Sequence, residues 1–447
     1  MLTVRLLLAL CHIHGLESKS IDFVLAFPQA ELDVPIWMEL PLGFHIDGAQ
    51  HGTSRRYVLL LKRSLYGLKQ ASLNWYEKLR QGLLDRDFKS SVIDPCLYLK
   101  ESMLVLTYVD DCIVASPSMD KIDEFVQSMK DGPENFVLAD EGDVDKFLGI
   151  EITKHEDSSF ELAQPYLIER ILRILGLLDN DFKVDANPAM TPAFQSLLHR
   201  DLAGKPRRRP WKYRTVIGML NYLQGHSRPD IAMAVHQCAR YSADPKLSHE
   251  QAVMRLGRYL LHTKARGIIF KPDVSKGLEV YVDADFAGGW DKADADNAEN
   301  VLSRTGYAIC YANCPILAVS KLQTEIALST AEAEYIALSQ SLREAIPLMT
   351  LLEEIHEFFP IVIGPPGFIC TVHEDNQSCI RMAQSDKFTP RTKHIALKYH
   401  HFRSFLKSDP PRISLRYCRT EMQKADILTK PLANDAFVRI RHLLLGW

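Results

Sequence analysis

No stretch of the 447 residues approaches the ~20 consecutive apolar side chains that a membrane-spanning helix needs. The apolar run near the amino terminus, Leu6 to Cys11, is shorter than the core of a secretory signal, and His12 and His14 follow at once. An ordinary buried helix is the better expectation there. Cysteine is sparse: nine residues, scattered, with no Cys-x-x-Cys. That excludes a disulfide scaffold and points to a reducing interior. Cys310 and Cys314 have a metal-like spacing, but no second Cys/His pair follows, so zinc is disfavoured. A basic excess is missing too. Lys plus Arg is 53 against 56 for Asp plus Glu, a net charge of -3, so any nucleic-acid surface must be regional. Internal repeats and long low-complexity tracts are absent. What remains is a composition of 47% hydrophobic and 24% charged residues, ordinary for folded domains with sizeable cores. The length suggests about three of them.

Residues 20–27 read as a mostly apolar strand carrying one acid, and 57–61 as another strand. Residues 68–85 suit a helix, with Leu68, Trp75, Leu79, Leu83 and Leu84 roughly on one face. Short apolar runs at 96–99, 103–109 and 112–115, a helix at 119–130 and a strand at 147–152 complete a β, α, β, β, α, β order. That order predicts a ferredoxin-like sheet with helices on one face. Residues 164–178 and 211–262 are mostly helical, parted by a Pro-rich polar linker, 187–210, that ends in a basic stretch. A third region predicts strands at 278–283 and 306–311 and a helix at 329–355. It continues with a strand ending at Asp375, helices at 376–384 and 393–407, a strand at 412–418 and a helix near 424–429. The whole predicts an α/β (α+β) chain divided at 1–160, 161–275 and 276–447. From Asn376 to Lys430 there are twelve Lys/Arg against four Asp/Glu, a candidate polyanion surface. From Asp131 to Glu161 there are ten acids against two Lys.

Two groups of carboxylates stand in apolar surroundings. Asp110 and Asp111 lie between Leu104-Val105-Leu106 and Cys112-Ile113-Val114. Adjacent residues of a strand face opposite sides, so one acid would be buried, and an unpaired buried carboxylate costs several kcal/mol. A hairpin turn that places them beside a cation removes the conflict. Asp22 is a third acid in an apolar strand, and three such groups could hold Mg²⁺ and a triphosphate. The second group is Asp283, Glu334, Asp375 and Asp426, closing two strands and opening two helices. Individually each acid is more often a cap or surface residue. Together they could hold two Mg²⁺ ions for hydrolysis of a phosphodiester. A competing Ca²⁺ loop from Asp283 through Asp285, Gly288, Asp291 and Asp294 is disfavoured, because Ala287 holds a ligand place and Asp294 replaces the closing Glu.

Eleven stretches then carry a resemblance. They are Ile21–Phe27, Ser64–Ala71 (Ser-Leu-Tyr-Gly-Leu-Lys-Gln-Ala), Asp94–Tyr98, Tyr108–Asp111, Phe147–Ile150, Arg228–Ile231, Tyr281–Asp285, Ala333–Leu338, Asp375–Ser378, Arg391–His394 and Ala425–Pro431 (Ala-Asp-Ile-Leu-Thr-Lys-Pro). Over nearly the whole chain, and in order, it resembles the reverse transcriptase and ribonuclease H portion of a Ty1/copia-type retrotransposon polyprotein. The resemblance implies a reverse transcriptase palm, a helical thumb and connection, and a ribonuclease H-like mixed-sheet domain. Asp22, Asp110 and Asp111 would be the polymerase acids, and Asp283, Glu334, Asp375 and Asp426 the nuclease tetrad. Each set would hold two Mg²⁺ ions, with Mn²⁺ as a substitute. Phe27, Gly67, Gln70 and Tyr108 would face nucleotide and template, Phe27 as the gate against a 2′-hydroxyl. Phe147, Leu148, Gly149 and Ile150 would form the primer grip, and Arg207, Arg208 and Arg209 would touch the backbone. The implied partners are an RNA template, a primer, deoxynucleoside triphosphates, an RNA–DNA hybrid and other products of the polyprotein. The implied setting is intracellular: a cytoplasmic virus-like particle, and the nucleus.

Four departures accompany the resemblance. A long fingers segment, with the basic residues that hold the triphosphate, precedes the region matching Val4 to Leu10 in the family, and Met1 falls just before the palm. The polymerase half is therefore expected to be impaired, with a non-catalytic nucleic-acid-binding relic and a nuclease-only fragment as the rival readings. Ser72 stands where Pro is usual. The loop Cys418 to Lys424 lacks the His that many ribonucleases H place before the last acid. The stretch Trp290 to Val301 is longer than usual.

Overall fold

The computed structural model describes residues 1–46, 49–50, 57–157, 159–178, 187–292, 297–359, 361, 369–385 and 397–447; the Arg391–His394 motif lies outside them. The chain is mixed α/β and forms two compact units. One comprises residues 14–147 with 354–360, the other residues 1–13, 148–353 and 361–447.

In the first unit, alternating apolar residues build a six-stranded antiparallel sheet. Its order is Leu138–Asp143, Glu17–Phe23, Asp111–Ser116, Met103–Tyr108, Leu97–Lys100, Lys89–Ser90. Ile21, Phe23, Val105, Cys112 and Val114 bury themselves against two helices. The helix Ala71–Leu84 supplies Trp75, Leu79 and Leu83, and Met119–Asp131 supplies Ile122, Phe125, Val126 and Met129. Two expectations shift. The strand read at 20–27 ends at Phe23, because Leu25 turns left-handed (φ 52) before a short helix, Ala26–Gln29. The last strand of the sheet is Leu138–Asp143, not 147–152. Leu-Ala-Asp-Glu-Gly-Asp shows no apolar alternation, because it is an exposed edge strand paired with Glu17–Phe23. Residues 150–154 instead join Phe160–Ala163 and Ile268–Phe270 in the other unit.

The second unit holds a five-stranded mixed sheet, Cys314–Leu322, Arg304–Tyr311, Leu278–Asp285, Cys370–Glu374, Ile413–Tyr417. The first two pairings are antiparallel and the last two parallel. Helices Pro165–Leu175, Tyr213–His226, Ala232–Arg240 and Leu247–His262 pack on one another. The amino-terminal helix Leu2–His14 is buried over Thr3–Cys11, as the sequence predicts. Its Arg5 donates to the carbonyls of Gly225 (3.1 Å) and His226 (2.7 Å), which satisfies the charge at the negative end of the helix Tyr213–His226. Burial lowers its pKa to about 10.

The Arg228-Pro-Asp-Ile motif acquires a structural role. Arg228 and Asp230 are fully buried and paired through two hydrogen bonds, 3.0 and 2.8 Å. Arg228 also donates to the carbonyl and hydroxyl of Thr263, and Tyr259 donates to Asp230 at 2.6 Å. The indole of Trp447 lies over the guanidinium at 5.2 Å. Removing one partner of a buried pair leaves the other charge uncompensated. Arg228→Ala should therefore cost about 3–5 kcal/mol in urea unfolding. Joint replacement of Arg228 and Asp230 by apolar residues should cost less. A joint loss equal to the sum of the two single losses would show that the pair carries no coupling.

A second buried contact has a pH signature. Arg304, 2% exposed, donates to His236 Nδ1 at 3.0 Å, which requires the neutral imidazole. Burial first, then Arg304 and Arg240, lower the His236 pKa from 6.5 to about 4. The unfolded chain then takes up the proton first as pH falls. His236 costs nothing above about pH 6.5 and destabilises progressively between 6.5 and 4, by up to about 3 kcal/mol. His236→Gln should unfold with a shallower acid dependence than the wild type over that window, measured in urea at pH 7 and pH 5.

Candidate metal centres

The first centre is built at a hairpin. Tyr108 and Asp111 pair across it, and Val109 and Asp110 form the turn. Val109 is left-handed (φ 58), an uncommon conformation for a β-branched residue, and strain of this kind costs about 1–3 kcal/mol. Two hydrogen bonds hold it: the Trp75 indole donates to the Val109 carbonyl (2.6 Å) and the Phe23 amide to the Asp110 carbonyl (2.9 Å). Asp22 lies directly opposite Asp111 on the neighbouring strand. The turn thus resolves the conflict of adjacent acids and brings all three together. Burial, then the charge of Asp110, pushes both Asp22 and Asp111 above the usual carboxylate range. Glu141, on the edge strand, adds to both shifts; sequence reasoning missed it along with its strand.

Phe27 packs against Tyr66 in a tilted ring contact, centroids 4.7 Å apart. Tyr66 itself senses Asp110 and Asp22, which help raise its phenol pKa after burial. Gly67 holds a positive φ of 97, with open space beside it, so the backbone is bare at that point. Gln70 precedes the helix Ala71–Leu84 as its N-cap residue without a side-chain cap bond, and Tyr108 is exposed. Phe147 is buried at the end of the first unit, whereas Leu148–Ile150 belong to the second. There the turn at Leu148 (φ 50) and Gly149 (φ 71) is held by Tyr222, whose hydroxyl donates to the Leu148 carbonyl. Of the three arginines, Arg207 is used internally. It lies over Trp211 at 4.2 Å and beside Glu250 at 3.4 Å. Arg208 and Arg209 are exposed; both backbone amides donate to Glu250, and the Arg209 side chain reaches the Leu175 carbonyl.

The second centre forms at the carboxyl ends of two neighbouring parallel strands inside the mixed sheet. Asp283 lies two residues before the end of the strand Leu278–Asp285, and Asp375 follows Cys370–Glu374. Glu334 sits in the first turns of the helix Thr330–Phe358, whose start is set by Ser329 and Glu332. Among the described residues, Asp283, Glu334 and Asp375 are the one group of three or more His, Cys, Asp or Glu side chains whose ligand atoms all lie within 4.8 Å. The acids of the first centre are not drawn that close. Cys310 with Cys314, and the loop after Asp283, form no such group among the described residues; Asp294 lies outside them.

Gly306 explains how the fourth acid, Asp426, comes alongside Asp283 while staying outside that close group of three. It pairs with Asp283, and a Cβ there would meet Thr429 at 2.5 Å and Leu428 at 2.9 Å. The short helix Asp426–Thr429 therefore lies flush on the sheet. Thr429 donates its hydroxyl to Asp283, and Asp426 is buried beside it. Burial, with the charge of Asp283, raises the Asp426 pKa to about 7. Lys430 lies 3.0 Å from Asp426 and 3.5 Å from Asp283. Thr420 donates to Asp375 at 3.3 Å, from the loop that lacks a His.

A fifth acid was missed. Glu374 is fully buried next to Asp375, and burial together with neighbouring acids holds Glu334 and Glu374 well above the carboxylate range. One oxygen of each, Oε2, has no hydrogen-bond partner. Buried carboxylate oxygens without donors fit a cation, and an all-oxygen donor set fits a hard divalent ion such as Mg²⁺.

Comparison with known proteins gives a consistent neighbourhood. Residues 1–193 match the family described as reverse transcriptase (RNA-dependent DNA polymerase). The chain is 30% identical, over 99% of its length, to a retrovirus-related Pol polyprotein from transposon TNT 1-94 of Nicotiana tabacum, covering 32% of that protein. It is 32% identical over 97% of its length to the Pol polyprotein from transposon RE1 of Arabidopsis thaliana, covering 28% of it. A putative transposon Ty5-1 protein of Saccharomyces cerevisiae is 28% identical over 72% of the chain and is covered over 99% of its own length. The chain spans about a third of the length of the two plant polyproteins.

Proposed function

The chain belongs to the retrotransposon Pol polyproteins of the Ty1/copia type, with a reverse transcriptase domain over its first 193 residues, and from that membership we propose an RNA-directed DNA polymerase joined to a ribonuclease H. In this reading the first unit is the palm, the helices from Pro165 to His262 are thumb and connection, and the sheet from Leu278 onward is the nuclease. The observation that carries the nuclease half is the all-carboxylate cluster of Asp283, Glu334 and Asp375, with the partnerless buried Oε2 of Glu334. The polymerase half rests on the register of Asp22 with Asp111 and on the family match.

Divalent ions held by these acids would activate the attacking oxygen and stabilise the leaving one. The protein's own residues do the rest. Thr429 fixes Asp283 and Thr420 orients Asp375, each through a hydroxyl donated to a carboxylate. Thr420 can steady Asp375 but cannot exchange a proton near neutral pH as His would. Phe27, seated on Tyr66, and the bare backbone at Gly67 border the first centre, where a nucleotide sugar and template would lie. Arg208 is the arginine of its trio best placed to meet backbone phosphates, since Arg207 is stacked and ion-paired. Phosphate contacts would make affinity fall with salt.

A nuclease-only reading is favoured by one observation, the tighter gathering of the second set of acids. Incubation of the chain with an RNA–DNA hybrid and with a primed RNA template, in Mg²⁺ and in EDTA, separates the readings. The proposal expects both cleavage and extension in Mg²⁺ and neither in EDTA. Cleavage alone would select the nuclease-only form, and salt-sensitive binding without either reaction would select a relic.

A further inference from the structure

The nuclease pocket gathers negative charge in a poorly hydrated place, and one cation of the chain itself reaches into it. Lys430 Nζ lies 3.0 Å from Asp426 Oδ1 and 3.5 Å from Asp283 Oδ2. The side chains of those acids are 5% and 3% exposed, whereas that of Lys430 is 36% exposed. Lys430 ends the helix Asp426–Thr429 in extended backbone (φ -132, ψ 154), four residues after Asp426. Its charge also acts on Glu334 and Asp375. The other groups at this point are the Thr429 hydroxyl on Asp283 and, at the end of the same strand, Asp285, on which the charges of Lys430 and Arg304 both act.

A divalent ion held by Asp283 and Asp426 would compete with the ammonium for the same two carboxylates, and so for the space beside them. Both cations cannot occupy it together. We propose that Lys430 is a tethered counter-cation that holds the bridging position between Asp283 and Asp426 until a divalent ion enters, and swings toward solvent when it does. This rests on the nuclease reading, and makes Lys430 a positioning residue that sets how much metal the site requires. Its partial exposure supplies the exit, and its tether returns it when the ion leaves.

The test compares wild type, Lys430→Met and Lys430→Arg as full chains without nucleic acid. Thermal melting in EDTA and calorimetric titration with Mn²⁺ are the readouts. Lys430→Met should melt several degrees lower in EDTA, regain that loss in Mn²⁺, and bind Mn²⁺ on the order of tenfold more tightly, because no ammonium must be displaced. Folding of Lys430→Met only with Mn²⁺ present would support the proposal equally. Lys430→Arg should keep the metal-free melting point and show no tightening. Unchanged melting and unchanged affinity in Lys430→Met would overturn the role of Lys430, as would equal tightening in Lys430→Arg. If wild type shows no Mn²⁺ binding that Asp375→Asn weakens, the nuclease reading itself fails and takes the proposal with it.

Discussion

A chain carrying Asp110→Asn should lose primer extension by on the order of 10³-fold while cutting the RNA of a hybrid as before. The amide keeps the shape of the turn, because the contacts that hold it use backbone carbonyls: Trp75 on Val109 and Phe23 on Asp110. What disappears is a charge at the centre of three acids. Asp22 and Asp111 are both held above the usual range partly by Asp110, so they should ionise more readily in the variant. The variant should therefore be no less stable than the wild type in EDTA, yet unable to gather cations for a triphosphate. Measurement of extension and of urea unfolding on the same preparation separates lost chemistry from lost folding. Extension at the wild-type rate would remove Asp110 from the polymerase site.

Asp375→Asn should have the reciprocal effect. Hybrid cleavage in Mg²⁺ should fall by on the order of 10³-fold, with extension retained. Asp375 is half-buried beside Asp283, and burial and that neighbour raise its pKa. A carboxylate whose folded pKa is raised loses stability for the fold as pH climbs from its unfolded value through the folded one. Taking the charge away should make the metal-free chain more stable near pH 8, with less gain near pH 3, where the carboxyl is largely protonated in both states. Stabilisation together with inactivity is the signature of a site built to hold cations. A variant that is both inactive and less stable at pH 8 would make Asp375 a structural residue.

The two acid sets were legible in the sequence because burying a carboxylate is costly. An acid inside an apolar strand signals a turn, a partner or a cation wherever it occurs. Asp22, Asp110, Asp283 and Asp375 could be found in that way, and so could the hairpin at 109–110. The same logic could have found Glu374, which stands beside Asp375 as Asp110 stands beside Asp111. Lys430 was also within reach, since residues four apart near a helix share a face. Glu141 was not, because its strand has the composition of a solvated loop and is held by pairing with Glu17–Phe23. Gly306 was equally silent. Its need for a bare Cα arises only when the helix Asp426–Thr429 is laid across it. Arg207 read as a basic surface residue because the sequence does not show that Trp211, Tyr213 and Glu250 surround it. Long-range packing decided each of these, and local pattern carries little trace of it.

Two metal-dependent phosphoryl-transfer sites on one chain should work independently of each other. The most direct measurement is a crossed assay of primer extension and hybrid cleavage on the wild type, Asp110→Asn, Asp375→Asn and the double variant, each in Mg²⁺. Each single substitution should abolish one activity and spare the other, and the double variant should retain neither. Loss of both activities in either well-folded single variant would contradict that independence.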